Sequence, residues 1–237
     1  MFCPFCGANL DDDAKFCTVC GQQTSAAGDG GGAQQPPPAG EASFAGPITS
    51  EVQIGKWIGD GWNIISADLL MLAVATLVFA ILSGVVPIVL QAPMVVGMHI
   101  LLANKMLTGR LDFGDLFKGF NYFLPALLAT LVMGIFIFIG MLACIIPGLV
   151  IGAMYLFTYL FILDRKMEFW PAMQASHDIV KKNYLGFTFF FLALALLQLA
   201  GALLCGIGLL VTIPLYYAAI NAAYRDLVGF RSRAPLQ

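Results

Sequence analysis

Residues 122–163 read YFLPALLATLVMGIFIFIGMLACIIPGLVIGAMYLFTYLFIL, and no Asp, Glu, Lys or Arg interrupts the chain between Asn121 and Asp164. Crossing about 30 Å of hydrocarbon takes roughly 20 apolar residues in a helix. The stretch is long enough for two crossings, and Cys144-Ile-Ile-Pro147-Gly148 marks the turn between them. It reads as a transmembrane hairpin. The whole chain agrees: 59% of its 237 residues are hydrophobic and only 11% are charged, where globular domains carry about 25%. A net charge of −2 points to neither nucleic acid nor an acidic partner, so the placement of charge is more informative than its sum.

Working outward from the hairpin, the same layout precedes and follows it. Asp112, Phe113, Leu116, Phe117 and Phe120 form an amphipathic segment before the apolar run that starts at Asn121. Ile54, Trp57, Ile58 and Trp62 do so before Asn63, opened by a capping-box-like Ser50-Glu-Val-Gln53. Phe169, Ala172, Met173, Ser176, Ile179 and Val180 do so before Asn183, on a helix that Pro171 can start. The pattern predicts a threefold internal repeat of interfacial helix plus transmembrane hairpin. The expected fold class is therefore an all-α membrane protein with six transmembrane helices, at about 63–83, 88–107, 122–143, 145–163, 184–204 and 206–224. They occupy a membrane domain at 50–230, with a short tail at 231–237.

Eleven of the twelve Lys and Arg residues, from Lys56 to Arg233, fall on one side of these hairpins, and the three turns carry none. By the positive-inside rule that side is the cytoplasm. Both termini are then cytoplasmic, and the expected location is a bacterial inner membrane. The N-terminus shows no basic segment followed by an apolar one, so the first apolar run is expected to serve as the membrane signal.

Residues 2–21 read FCPFCGANLDDDAKFCTVCG, with Cys3, Cys6, Cys17 and Cys20 in two C-x-x-C-G knuckles. Glycine after each second cysteine permits the tight turn that aims two thiolates at one ion, and four thiolates complete a tetrahedral zinc site. Four protein ligands leave no position for an activated water, so the zinc is read as structural. Paired disulfides fit poorly with a reducing cytosol, and a redox C-x-x-C needs no second copy; a rubredoxin-like iron site is the remaining alternative. Lys15 is the sole base beside Asp11, Asp12 and Asp13, which argues against nucleic acid here. Residues 22–49, rich in Gly, Pro, Gln and Ser, read as a disordered linker with a reach of roughly 30 Å.

Inside the spans, ionisable groups are few. Asp68 and His99 lie at similar depth in an antiparallel pair of helices, so a hydrogen-bonded Asp68–His99 pair is within reach. The plainer reading is an Asp68 at the interface and one structural hydrogen bond for His99. Gln91, Gln198 and Asn221 are expected to hydrogen-bond between helices. Gly148 with Gly152, and Ala218, Ala219, Ala222 and Ala223, form small-residue faces that suit a compact bundle and a homo-oligomer equally. Cys144 and Cys205 lie near two non-cytoplasmic turns, where apolar packing and a disulfide are both open. His177, Asp178, Lys181 and Lys182 read as a surface facing lipid headgroups. No nucleophile, base and oxyanion group come together, so an enzyme is not expected.

The N-terminal segment resembles the short zinc ribbons of the C-P-x-C-G…F-C-x-x-C-G type found at the ends of many bacterial proteins. That resemblance implies a metal-stapled module used for contact with a protein partner. Residues 50–230 resemble poorly characterised multi-span bacterial membrane proteins whose hairpins carry Pro and Gly near the turn. Those proteins close with Tyr-Arg-Asp-Leu-x-Gly, here Tyr224–Gly229. The expected function is an integral inner-membrane scaffold or adaptor presenting a tethered zinc ribbon. The alternative is a small transporter or channel using Asp68 and His99.

Overall fold

The computed structural model describes residues 51–237 apart from Val86, Ile88, Cys144, Cys205, 232–235 and Gln237. The chain falls into two units, Met1–Glu41 and Ala42–Gln237, and the described residues all belong to the second. The four ribbon cysteines, the linker at 22–49, Ser50 and the Cys144/Cys205 pair therefore lie outside the described residues.

Every regular element among the described residues is helical. In chain order these are α1 (Ile54–Ser66), α2 (Leu69–Val85), α3 (Gln91–Thr108), α4 (Asp115–Lys118), α5 (Phe123–Ala143), α6 (Ile145–Met154), α7 (Thr158–Arg165), α8 (Phe169–Val180), α9 (Tyr184–Leu203) and α10 (Leu209–Leu227). Short 3-10 turns, Gly119–Tyr122 and Lys181–Asn183, lead into α5 and α9.

Three helical stretches, Asp115–Leu142, Pro147–Arg165 and Phe169–Leu203, are long and apolar enough to cross a membrane. A fourth is added if the bent pair Ile54–Ser66 and Leu69–Gly84 is one span. The expected spans at 88–107 and 206–224 correspond to α3 and α10, which fall short of that apolarity. The reason is their position. α3 is buried without a break from Ala92 to Lys105, and α10 is buried from Ala218 to Tyr224, so both can carry polar side chains that meet protein instead of lipid. The outer helices show the opposite pattern: Leu70, Leu124, Phe138, Leu142, Leu185 and Leu203 are large, apolar and exposed, as a lipid-facing surface requires.

The segments expected to lie in the membrane plane behave in two ways. α1 meets α2 at 98°, and its first residue follows Gln53, which makes no side-chain cap. The other two amphipathic segments run on into their apolar helices, as single helices of 28 and 35 residues. The 3-10 turn before α5 keeps right-handed backbone angles at both flanks, whereas Asn183, at φ −152° and ψ 69°, leaves the helical region between α8 and α9. At about 1.5 Å per residue the longer one reaches roughly 52 Å, well beyond a 30 Å hydrocarbon layer, which leaves its amphipathic turns outside. Asn183 caps α9 by accepting a hydrogen bond from the Gly186 amide at 3.0 Å. Asn121 lies within a 3-10 turn and Asn63 within α1, so the three asparagines do not share one role.

Glycine sets several close crossings. A β-carbon at Gly97 of α3 would fall on the carbonyl of Leu116, and one at Gly119 on the carbonyl of Pro93, so α3 crosses the α4 turn backbone to backbone. One at Gly208, just ahead of α10, would come within 2.6 Å of the Gly201 carbonyl of α9, and one at Gly140 of α5 within 3.1 Å of the Gly148 backbone of α6. In the central hairpin α5 ends at Ala143 and α6 begins at Ile145. Pro147, expected at the turn itself, occupies the first turn of α6, where its missing N–H costs no hydrogen bond. The return helix is interrupted between Met154 and Thr158. Ser176 of α8 bridges that break, donating to the Met154 carbonyl at 2.7 Å and accepting from the Phe157 amide at 3.1 Å.

Candidate functional site

α3 carries the polar centre of the bundle. The Nδ2 amide of Asn221, on α10, donates to the His99 carbonyl at 3.0 Å. Its Oδ1 is then the group that meets His99 Nδ1 at 2.6 Å, so Nδ1 carries the proton and Nε2 is left as an acceptor. His99 is 2% exposed. Its ring stacks with Tyr159 of α7 at 6.4 Å and meets Tyr217 of α10 edge-on at 5.0 Å. These aromatic contacts hold the imidazole plane across the space between α3, α7 and α10.

That space is a cavity of about 640 Å³, bounded by α3, α5, α6, α7, α9 and α10. Its wall is mainly apolar. The polar exceptions are Gln91, His99, Thr130 and the tyrosines at 155, 159, 216 and 217, and no Asp, Glu, Lys or Arg lines it. Thr130 donates to the Ala126 carbonyl at 2.7 Å, so the Tyr159 hydroxyl, 2.8 Å away, donates to Thr130. Among the described residues the hydroxyls of Tyr216 and Tyr217 make no hydrogen bond. Gly152 admits the Phe191 ring to the wall, since a β-carbon there would come within 2.9 Å of it.

Asp68 lies elsewhere. α1 continues to Ser66 before the chain turns, which places Asp68 at the corner just ahead of α2 instead of five residues inside a span. Its Oδ2 receives Lys105 Nζ of α3 at 2.6 Å, with the lysine buried and the aspartate half-buried. The fold thus brings Asp68 to Lys105 and His99 to Asn221, and does not bring Asp68 and His99 together. The interhelical roles expected of two amides are present: Asn221 joins α10 to α3, and Gln198 of α9 exchanges hydrogen bonds with Thr212 of α10 at 2.9 and 3.2 Å. Gln91 faces the cavity.

The Tyr224–Gly229 segment serves as a fastener. Tyr224 donates to Asp164 at 2.9 Å, Arg225 pairs with Asp60 at 2.6 Å, and Asp226 takes Lys56 at 2.7 Å and the Trp57 indole at 3.3 Å. Leu227 is buried. Gly229, at φ 75°, turns the chain where a side chain would be strained, and the Arg231 amide then reaches Asp164. Burial works against ionisation of Asp226, but hydrogen bonds and charge from Lys56 and Arg225 outweigh it and hold the carboxyl below its ordinary range. Farther on, Leu236 is clamped by Asn104, whose side chain accepts from its amide at 2.6 Å and donates to its carbonyl at 3.1 Å. Sequence reading noticed the Tyr-Arg-Asp-Leu-x-Gly string but not its partners, which lie far away in the chain. On the third amphipathic helix, His177 meets the Tyr184 hydroxyl at 2.7 Å and Lys181 pairs with Asp178 at 2.6 Å.

Among the described residues no group of three or more His, Cys, Asp or Glu could hold a metal ion. Residues 2–23 match the zinc-ribbon domain model, and its donor set, four thiolates in two C-x-x-C pairs, suits one tetrahedral zinc. The chain is also 33% identical over 132 residues to the uncharacterized protein Rv2560 of Mycobacterium tuberculosis, covering 52% of this chain and 40% of that one. The uncharacterized protein Mb2590 of Mycobacterium bovis matches with the same identity and coverage. The aligned part thus spans less than half the length of these relatives. No solved structure matches the chain.

Proposed function

We propose that this chain is a bacterial inner-membrane adaptor: a six-span bundle that carries, on a tether, a cytoplasmic structural zinc ribbon for contact with another protein. The observation that carries the reading is the pairing of a zinc-ribbon match at residues 2–23 with helices apolar enough to cross a membrane. In this reading Cys3, Cys6, Cys17 and Cys20 ligate one structural zinc, residues 22–49 are the linker, and residues 50–230 are three interfacial-helix and hairpin units. α3 and α10 complete the six spans as inner helices, shielded from lipid by the others. Lys56 of α1, Lys105 of α3, Lys118 of α4, Arg165 of α7, Lys181 and Lys182 after α8 and Arg225 of α10 support a cytoplasmic placement of both termini. The ribbon's closed donor set and acidic loop favour a protein partner over catalysis or nucleic acid.

The tests separate anchor from ribbon. Cys17→Ser is expected to take bound zinc from about one ion per chain to none while the bundle remains in the membrane; full-length protein purified without metal would overturn the ribbon. Crosslinking pull-downs with and without residues 1–21 should show partners that depend on the ribbon. On a background without other reactive thiols, a cysteine at position 88 should label from outside intact cells and one at position 31 should not.

A transporter is the second reading, and the cavity beside His99 is what favours it. It predicts a flux in proteoliposomes that falls with Asp68→Asn or His99→Ala; no flux with either intact chain or variants leaves the adaptor.

A further inference from the structure

The cavity holds more hydrogen-bonding capacity than its own walls use. His99 Nε2 is a bare acceptor on a side chain that is almost wholly buried, and the half-buried Tyr216 and Tyr217 line the cavity with hydroxyls that no hydrogen bond among the described residues takes up. Polar groups at hydrocarbon depth that face nothing are costly. A lipid acyl chain entering from the side would fill the volume and leave all three unsatisfied. The absence of charge in the wall excludes anions such as phosphate or carboxylate, which would have no cation to meet, and excludes metal cations for the converse reason. The stacked rings of His99, Tyr159 and Tyr217 offer flat faces, and about 640 Å³ is the size of a small-molecule site.

We propose that this cavity binds an uncharged, ring-bearing lipid of the quinone or quinol class, its ring oxygens meeting the tyrosine hydroxyls and His99 Nε2 and its apolar tail following the α5 wall. A quinone carbonyl accepts from a tyrosine hydroxyl, and a quinol hydroxyl can in addition donate to His99 Nε2, so the quinol satisfies all three groups and the quinone the two tyrosines. Binding alone is proposed, with no electron transfer. The site depends on membrane residence of the bundle and on neither the ribbon nor transport.

The test uses full-length protein in phosphatidylcholine nanodiscs, with duroquinone as probe and its oxygen-free twin durene and the anion tetramethylbenzoate as competitors. Saturable binding above empty nanodiscs is expected, at one site per chain. Tyr217→Phe should weaken it about tenfold, the loss of one hydrogen bond. Gly134→Leu should abolish it: Gly134 lines the cavity, and a β-carbon there meets nothing within 4 Å, so the larger side chain fills the space without disturbing the helix. Durene or tetramethylbenzoate displacing the quinone at equal concentration would overturn the proposal, as would no saturable binding, or binding indifferent to Gly134→Leu. Resistance of the same protein to alkaline carbonate extraction is scored separately; its loss sinks membrane residence instead of the ligand.

Discussion

α3 and α5 are neighbours of similar length that solve opposite problems. α5 shows large apolar side chains such as Leu124, Leu131 and Phe138 to the outside and meets a hydropathy test easily as part of Asp115–Leu142. α3 is enclosed on all sides over Ala92–Lys105, carries Gln91, His99, Asn104 and Lys105, and does not meet it. The difference teaches that apolarity along a membrane protein ranks helices by contact with lipid, because only lipid forbids polar side chains. A helix wrapped by its neighbours is released from that demand. α10 follows α3, with Asn221, Tyr216 and Tyr217 on its inner face, and α9 follows α5.

The comparison can be broken first at its tightest point. Gly97→Val on α3 would push a side chain into the Leu116 backbone and is expected to cost about 3 kcal/mol or more, seen as loss of a monodisperse peak in detergent. Leu131→Ala on the exposed face of α5 should stay within about 0.5 kcal/mol. Equal losses from the two would show that α3 is no more enclosed than α5.

A smaller effect is expected at the polar centre. Asn221→Ala strands the buried His99 Nδ1–H and should lower thermal stability by about 1–3 kcal/mol. Gln198→Ala, which touches the half-buried Thr212 on the outer side of α10, should cost less. The smallest effect concerns the fastener between α1 and α10. The carboxyl of Asp226 is held below its ordinary value of 3.8, so the stability it contributes is complete above about pH 4 and is lost as pH falls through the lower folded value. Its partners are partly exposed, which limits the effect to less than about 1 kcal/mol. An acid melting curve that Asp226→Asn leaves unchanged would remove this tie from the account.

Much of the helical layout was legible in the sequence. The apolar runs at 122–143 and 184–204 appear as α5 and α9 within a residue or two, because a stretch with no charge has one stable option in lipid. The break of the return helix at Met154–Thr158 was not legible, since its partner Ser176 comes from another helix. The partners of Asp68 and His99 were not legible. Counting 1.5 Å per residue from an assumed span start put the two side chains at one level, but the bend between α1 and α2 takes Asp68 out of that span to a corner, and the face His99 turns to depends on how α3 is set by the packing at Gly97 and Gly119.

What the sequence alone determined is the material of each part: a four-thiolate segment suited to zinc, and helices apolar enough for a membrane. These follow from local chemistry, thiol spacing and uninterrupted apolar length, which no distant contact can alter. Tertiary structure alone decided which helices stand inside, that His99 pairs with Asn221 and Asp68 with Lys105, and that a cavity opens between them. Those outcomes depend on close approach at a few glycines and on partners 37 and 122 residues apart, and nothing local encodes which side chains will meet.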